Sequence, residues 1–600
     1  MTVSGSRAFI QHLAERTVKA SQAGGGKVRS GLLEPENAEQ KRFLFAKRGA
    51  FRGAELFLFS AEKIMKGNAD QRGESFMRER WKGLRPCAAD LVKTGILSLY
   101  LFFIFYTQAF LQETDEGGSA FLLAFLWTAL AAPAVYFLLR RLKSAELRPP
   151  EAGKGKASDL KTFLDGTLFI LLVGILWYIG ARPGYFSPDC VDQYKMAVSG
   201  EYNDWHPVWH TLLAFTLPLK LTGQTGALVL FQVISFALAA GYLGVVVRRH
   251  AGTLPAVLSL LYIGLNPYVF RVLMYPWKDV AFGTAGLLAL TMAAEVYFSE
   301  DRRNRRWYLL LLGFAAANAA LFRHNGILFA APLVLVLLFH LPKKRTLYLL
   351  LSFVLTFLAV RIPLYRLLNV EQPDKRVVET TGLPMTVIAN VAKEEPEALD
   401  FELKGFVYSM APPSTWENGI TGNFNETKWG AINTQPIEDA GAGKMLSWMF
   451  RCFENSPRAA YRALFALTDI VYGLETGTEG NVYGQRKTDD YGMAYAGNEP
   501  VENFLNGYQD FVDGSFLRYL RTYGVCLLAV LLLAVAKLKA SSRQSWKKIL
   551  LALPLFAYDF GTMLLLTGPD SRFFWITFPV TPLLLALLLA KDEKEKISQS

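Results

Sequence analysis

Apolar residues in this sequence are gathered into blocks of about 18–24, the length an α-helix needs to cross the hydrocarbon of a bilayer. Such blocks fall at 92–112, 118–140, 162–181, 224–247, 253–274, 278–298, 307–322, 326–341, 346–367, 516–537, 547–567 and 572–590, roughly twelve on that length rule. A soluble chain of 600 residues would divide its apolar residues among several cores instead. With 52% hydrophobic residues, the chain is expected to fold as an all-α polytopic membrane bundle. Trp209–Leu221 is too short to cross and carries Lys220, so it is expected to lie flat at the interface.

The formal net charge of +12 does not call for nucleic acid, because Lys and Arg of membrane proteins collect in cytoplasmic loops. With residues 1–90 inside, as a basic tail, the inner turns become Arg140–Lys161, Arg248–His250, Arg302–Arg306, Lys343–Arg345, Lys537–Lys548 and Lys591–Lys596. Every one is basic, which places both termini inside. The first apolar block begins near Val92, too late for a cleavable signal. Residues 91–160 add two N-terminal membrane helices to a core at 161–369, and 516–600 close the chain with further membrane helices and a short basic tail. The outer side receives a first loop at 182–209 and a large segment at 370–515, expected to be an extracytoplasmic domain, α-rich and irregular, with a helix over Met445–Glu475. Its aromatics Trp416, Trp429, Tyr483, Tyr491 and Tyr495 could stack on sugar faces or simply fill the domain. The four cysteines form no CxxC and no zinc spacing, although Cys190 and Cys452 would share the outer side.

The first outer loop holds most of the chemistry. Ser187-Pro188 reads as a helix start, with Ser accepting a backbone N–H and Pro at the first helical position. On that helix Asp189, Asp192 and Gln193 share a face. Acids in a first turn also suit the helix dipole; the functional alternative is a carboxylate that takes the proton of an attacking hydroxyl. Lys278-Asp279 opens a span behind Pro276-Trp277, either as an interfacial anchor or as a second acid that orients an acceptor. Asp189 and Asp279 could also help hold Mg or Mn, which prefer carboxylate oxygens. Arg323-His324-Asn325-Gly326 forms an outer hairpin tip, and Arg572 precedes the last span; a guanidinium can grip phosphate through two N–H groups. Arg271, Arg361 and Arg366 also fall near outer ends. His206 and His210 lie one turn apart but lack a third zinc ligand, so His206 is expected to bind phosphate or a neighbouring Asp. Lys278 and His324 join the same set. No GxxxxGK[ST], GxGxxG with a following acid, or GxSxG occurs, which argues against a nucleotide site or a serine hydrolase.

The order of these features resembles the GT-C superfamily of integral-membrane glycosyltransferases, which includes protein O-mannosyltransferases and aminoarabinose transferases. An Asp-bearing first outer loop is followed by His206-Pro207-Val208, an interfacial helix, a second outer Asp in Trp277-Lys278-Asp279-Val280 and a basic hairpin tip. The run from Ser187 to Tyr194, followed by Asp204 to His210, is also similar to an uncharacterised bacterial branch. The resemblance covers roughly 160–370, with looser support from 516–590. One departure is Cys190, where an acid often follows the loop aspartate. The resemblance implies a polyprenyl-phosphate-linked sugar donor and inverting transfer to a hydroxyl of a lipid, glycan or protein at the outer face of a bacterial cytoplasmic membrane. It implies Asp189 as base, Asp279 as second acid, and Arg323 and Arg572 as phosphate clamps. The rivals are a lipid-linked-sugar flippase, a ligase for lipid-linked glycans and a non-catalytic scaffold. Charges confined to one edge, and the lack of an internal repeat, weigh against a transporter.

Overall fold

The apolar blocks fold as helices, and each stops where the sequence supplies a break. A computed structural model describes residues 88–113, 119–148, 156–373, 377–430, 432–475 and 491–591. Most of the tail at 1–90, Tyr483 and the last basic residues therefore lie outside the described residues. Among those described there are isolated β-bridges but no strand.

Among the described residues, seven helices are long and apolar enough to cross a membrane: Ala88–Gln112, Ser119–Ser144, Ala157–Ala181, Ala227–Ala251, Lys278–Phe298, Lys343–Leu367 and Ser571–Leu589. An eighth is bent by 58° between Thr253–Gly264 and Pro267–Leu273, where Asn266 caps the second half and Pro267 fills its first position. Four of the twelve expected blocks are shorter or broken. Arg306–Phe322, His324–His340 and Tyr523–Lys537 are shorter apolar helices, and the block at 547–567 is cut into Arg543–Ile549, Leu550–Ala552 and Leu553–Met563. Runs of apolar letters are longer than the regular helices inside them, because turn residues and Pro554 interrupt the ladder.

Lys278–Phe298 is the axis of the bundle: 83% of its apolar window is buried, against 17% for Ser119–Ser144 and 11% for Lys343–Leu367, which face outward. Glycine makes the axis possible. A Cβ on Gly283 would fall 2.5 Å from Trp575, and one on Gly286 would fall 2.6 Å from Ile576. Backbone and final helix thus approach at a distance only glycine permits.

Polar contacts gather at two opposite ends of the spans. At one end, Asp159 accepts from Arg248 and Arg249, Glu295 accepts from Arg249 at 2.8 Å and meets His250 at 2.9 Å, and Lys143 binds Asp90 at 3.0 Å. His340 reaches the carbonyl of Lys547 at 2.9 Å, and Leu147 pairs with the chain around Ala590. The basic turns expected on the inner side are therefore together in space. The loop at 182–209, the start of Lys278–Phe298, the tip at 323–326 and the start of Ser571–Leu589 meet at the other end, described below.

Residues 377–475 and 491–515 are mostly helical, with a buried core that includes Val387, Val407, Trp448 and Leu467. The expected helix over Met445–Glu475 is in fact two, Gln435–Asn455 and Pro457–Tyr472. Ser456 leaves helical geometry because the residue before proline is pushed out of the α region. Trp416 is buried and donates to the carbonyl of Ala411, so it fills the core, whereas Trp429 is exposed. Cys190, Cys452 and Cys526 are all free and buried.

Candidate functional site

The helix Pro188–Ser199 begins as expected at Pro188, but Ser187 does not cap it with its hydroxyl. That oxygen instead accepts from the indole N–H of Trp277 at 2.8 Å. The exchange ties the loop at 182–209 to the start of Lys278–Phe298. Gln232, from Ala227–Ala251, holds the same turn by donating to the carbonyls of Leu273 and Tyr275 at 2.5 and 2.6 Å. Trp277 then stacks on Tyr275 with ring centroids 3.9 Å apart. A rigid aromatic step therefore precedes Lys278 and Asp279.

Arg572 is set by a third element. Asp570 accepts from the Arg572 backbone N–H at 3.2 Å and from its Nε at 2.8 Å. Tyr268 and Tyr523 pin Ser571 through its side chain and carbonyl, and Trp575 donates to the carbonyl of Val269. So fixed, Arg572 sends its other nitrogen to Asp189 at 3.0 Å and lies over the Trp277 ring at 4.7 Å.

Lys278 completes a continuous cluster. Its Nζ lies 4.0 Å from Asp189 and donates to Nδ1 of His206 at 3.1 Å. With Nδ1 accepting, the ring proton of neutral His206 sits on Nε2, a buried atom with no hydrogen-bond partner. Burial pushes the Asp189 carboxyl up, but Arg572 and then Lys278 outweigh it and hold it well below the usual carboxylate range. Burial and the Lys278 charge keep the His206 imidazole far below its ordinary value, hence neutral.

Asp279 and Arg323 form a second pair behind the first. Their side chains are 1% and 6% exposed, against 29% for Asp189. Arg323 also donates to Asn325, and its guanidinium covers the Phe573 ring at 4.1 Å. Phe573 lies 5.4 Å from the Arg572 guanidinium as well, so one aromatic ring bridges the two pairs. The tip itself is tight: a Cβ on Gly326 would meet the Ala319 carbonyl at 2.1 Å.

The remaining expected residues divide. His324 touches the Asp204 carbonyl at 3.1 Å, and burial lowers its pKa to about 4. Gln193 is buried beneath the loop, contacting Nδ1 of His210 at 2.6 Å and accepting from Thr211 at 3.2 Å. Asp192, one turn beyond Asp189, is exposed, with Lys195 at 3.9 Å, and does not join the cluster. Asp570, Trp277 and Phe573 were not singled out from the sequence as site residues. An Asp two residues before an Arg is a turn signal that could have pointed to the first; the two rings become partners only in space. Asp204 pairs with Arg361 at 2.9 Å and accepts from Tyr365 at 2.8 Å, a contact between this loop and the end of Lys343–Leu367, more than 150 residues away.

Asp189 and Asp279 are the two carboxylates expected at the site. Each carboxylate is matched by its own guanidinium, and no group of three or more His, Cys, Asp or Glu able to hold a metal occurs among the described residues.

No family model and no curated protein matches this sequence. Among solved structures, the chain is similar to ArnT from Cupriavidus metallidurans in its crystal structure bound to undecaprenyl phosphate. Identity is 14%, over 70% of this chain and 76% of that one, with a TM-score of 0.28. At that score the likeness carries no weight for individual residues, and the chemistry must come from the cluster itself.

Proposed function

We propose that this chain is a membrane glycosyltransferase of GT-C type. It moves a sugar from a polyprenyl-phosphate donor to an acceptor hydroxyl of a lipid, glycan or protein, with inversion, at the outer face of a bacterial cytoplasmic membrane. The observation that supports this best is the contact of Asp189 with both Arg572 and Lys278, brought from three distant parts of the chain to one end of the spans. Ionisable groups so placed in a membrane protein mark substrate chemistry by default. The basic turns collected at the opposite end support an outward-facing site.

In this reading the acceptor O–H gives its proton to Asp189 while its oxygen bonds to the anomeric carbon. The carbon–oxygen bond to the lipid phosphate breaks, and its electron pair leaves with the phosphate. Arg572 and Lys278 stabilise the charge that gathers there, the kind of stabilisation that dominates when the leaving group is already good. Donor binding also prepares the base. A phosphate that draws Arg572 and Lys278 toward itself removes the charges that keep Asp189 weakly basic. The partnerless Nε2–H of His206 is a donor available to the phosphate or the acceptor. Asp279, buried and paired, acts by fixing Arg323 rather than by exchanging protons.

The test is reconstituted protein with a panel of polyprenyl-phosphate sugars and hydroxyl acceptors. Donor consumption with an inverted anomer in the product supports the transferase. Movement of intact donor across the bilayer with no product would instead support a flippase.

A further inference from the structure

The outer end of Lys343–Leu367 carries a shallow, open cavity of about 450 Å³, lined by Arg361, Tyr365, Arg366, Asn369 and Gln372 with apolar Ile362 and Val370 between them. Its shape follows from Pro363. Proline supplies no N–H and crowds the carbonyl four residues back, and here the helix widens into a π-turn over Val360–Leu364. The wider turn carries Arg361 and Arg366, five residues apart, to one side; a regular α-helix would splay them. Asn369 then closes the helix at φ 48°, a left-handed conformation that asparagine adopts more readily than most residues, and Val370 donates to the Tyr365 carbonyl at 3.0 Å. A bulge, a left-handed cap and two guanidiniums thus build one concave polar site.

Charge and position select its occupant. Arg361 is offset by Asp204, whereas Arg366 has no ion pair among the described residues. Glu371 contributes nothing to the lining. One unmatched positive charge suits a phosphodiester, which carries one negative charge; a phosphomonoester carries nearly two. On the same helix, Leu351, Leu355, Leu358 and Ile362 are exposed, and only 11% of its apolar window is buried. These side chains offer acyl chains a surface beside a phosphate-binding headgroup pocket.

We propose that this cavity binds the phosphodiester headgroup of an anionic membrane phospholipid. Binding is linked to the first outer loop. Arg361 grips Asp204, and backbone hydrogen bonds of 2.9 Å run from Glu371 to the Tyr202 carbonyl and from Asp204 to the Glu371 carbonyl. A lipid that orders 361–372 therefore steadies the loop that carries His206. This holds whether or not the transferase reading does, because it rests on a different cavity and is read by lipid binding.

Native mass spectrometry of the full chain in detergent, titrated with phosphatidylglycerol or phosphatidylcholine, tests it. One phosphatidylglycerol should be retained at concentrations where phosphatidylcholine is lost. Arg366→Gln, at an exposed position that should not disturb folding, should weaken retention about tenfold, the scale of one charge-assisted hydrogen bond. Hydrogen exchange of residues 202–206 should slow when phosphatidylglycerol is added. Equal retention of both lipids, or retention unchanged in Arg366→Gln, would overturn the proposal. So would displacement of phosphatidylglycerol by millimolar inorganic phosphate or by an equimolar polyprenyl-phosphate sugar, itself a phosphodiester, which would make the cavity a free-phosphate or donor site.

Discussion

Replacing Asp279 by Asn separates a structural acid from a chemical one. Asp279 is 1% exposed and Arg323 6%, so both charges lie away from water and each is the other's counter-ion. Removing one member of such a pair leaves the other charge buried alone, a loss of about 3–5 kcal/mol. The remaining partners of Arg323, the Asn325 oxygen, the Tyr558 hydroxyl and the Phe573 face, are neutral, and the nearby Asp570 carboxylate is already held by Arg572. Asp279→Asn should therefore lower the thermal midpoint by several degrees in detergent at a matched scan rate, since unfolding of such proteins is governed by rate. The double variant Asp279→Leu with Arg323→Met should recover much of that loss, because apolar packing can take the place of a buried pair. Asp189→Asn, at a 29% exposed site, should shift the midpoint far less. A variant Asp279→Asn that keeps the native midpoint yet loses all transfer would refute this assignment and return Asp279 to the chemistry.

Two further outcomes follow from the same cluster. Gln193→Ala should destabilise the fold by about 1–3 kcal/mol, since Thr211 and His210 lose a buried partner, and denaturant titration in mixed micelles would read it. The pH profile of kcat/KM for transfer, which reports the free enzyme, should be flat between about pH 5 and 7. Asp189 has a depressed folded pKa, so its ionised form and the stability of its pairs persist above the ordinary value near 3.9 and fade only as pH falls through the lower folded one. Neutral His206 adds no limb in that window; an inflection near pH 6.5 would show that it titrates as an ordinary imidazole.

Much of the architecture was legible because bilayer length and charge sidedness are one-dimensional rules. The helix expected at 278–298 begins after Trp277 and ends before Ser299 as read, and the expected inner turns do gather at one end. Proline placement explains what was misjudged: Pro457 divides the helix expected over Met445–Glu475, and its effect was available in the letters. Partner choice was not available. Nothing in the sequence shows that Arg323 takes Asp279 while Arg572 takes Asp189, since that depends on how the aromatic ring of Phe573 separates two guanidiniums. Likewise Asp192 stands one turn beyond Asp189, and the offset of about 60° between positions three apart carries it from the flank of the helix onto its exposed stripe.

The most direct measurement separates donor binding from donor turnover in two variants, using a labelled polyprenyl-phosphate sugar that the native protein consumes. Asp189→Asn should bind that donor within a few-fold of the native protein and transfer none of it, whereas Arg572→Gln should bind about tenfold or more weakly, the scale of one charge-assisted contact. Release of sugar at the native rate by Asp189→Asn, or native binding and turnover in Arg572→Gln, would contradict a lipid-phosphate sugar reacting at this cluster.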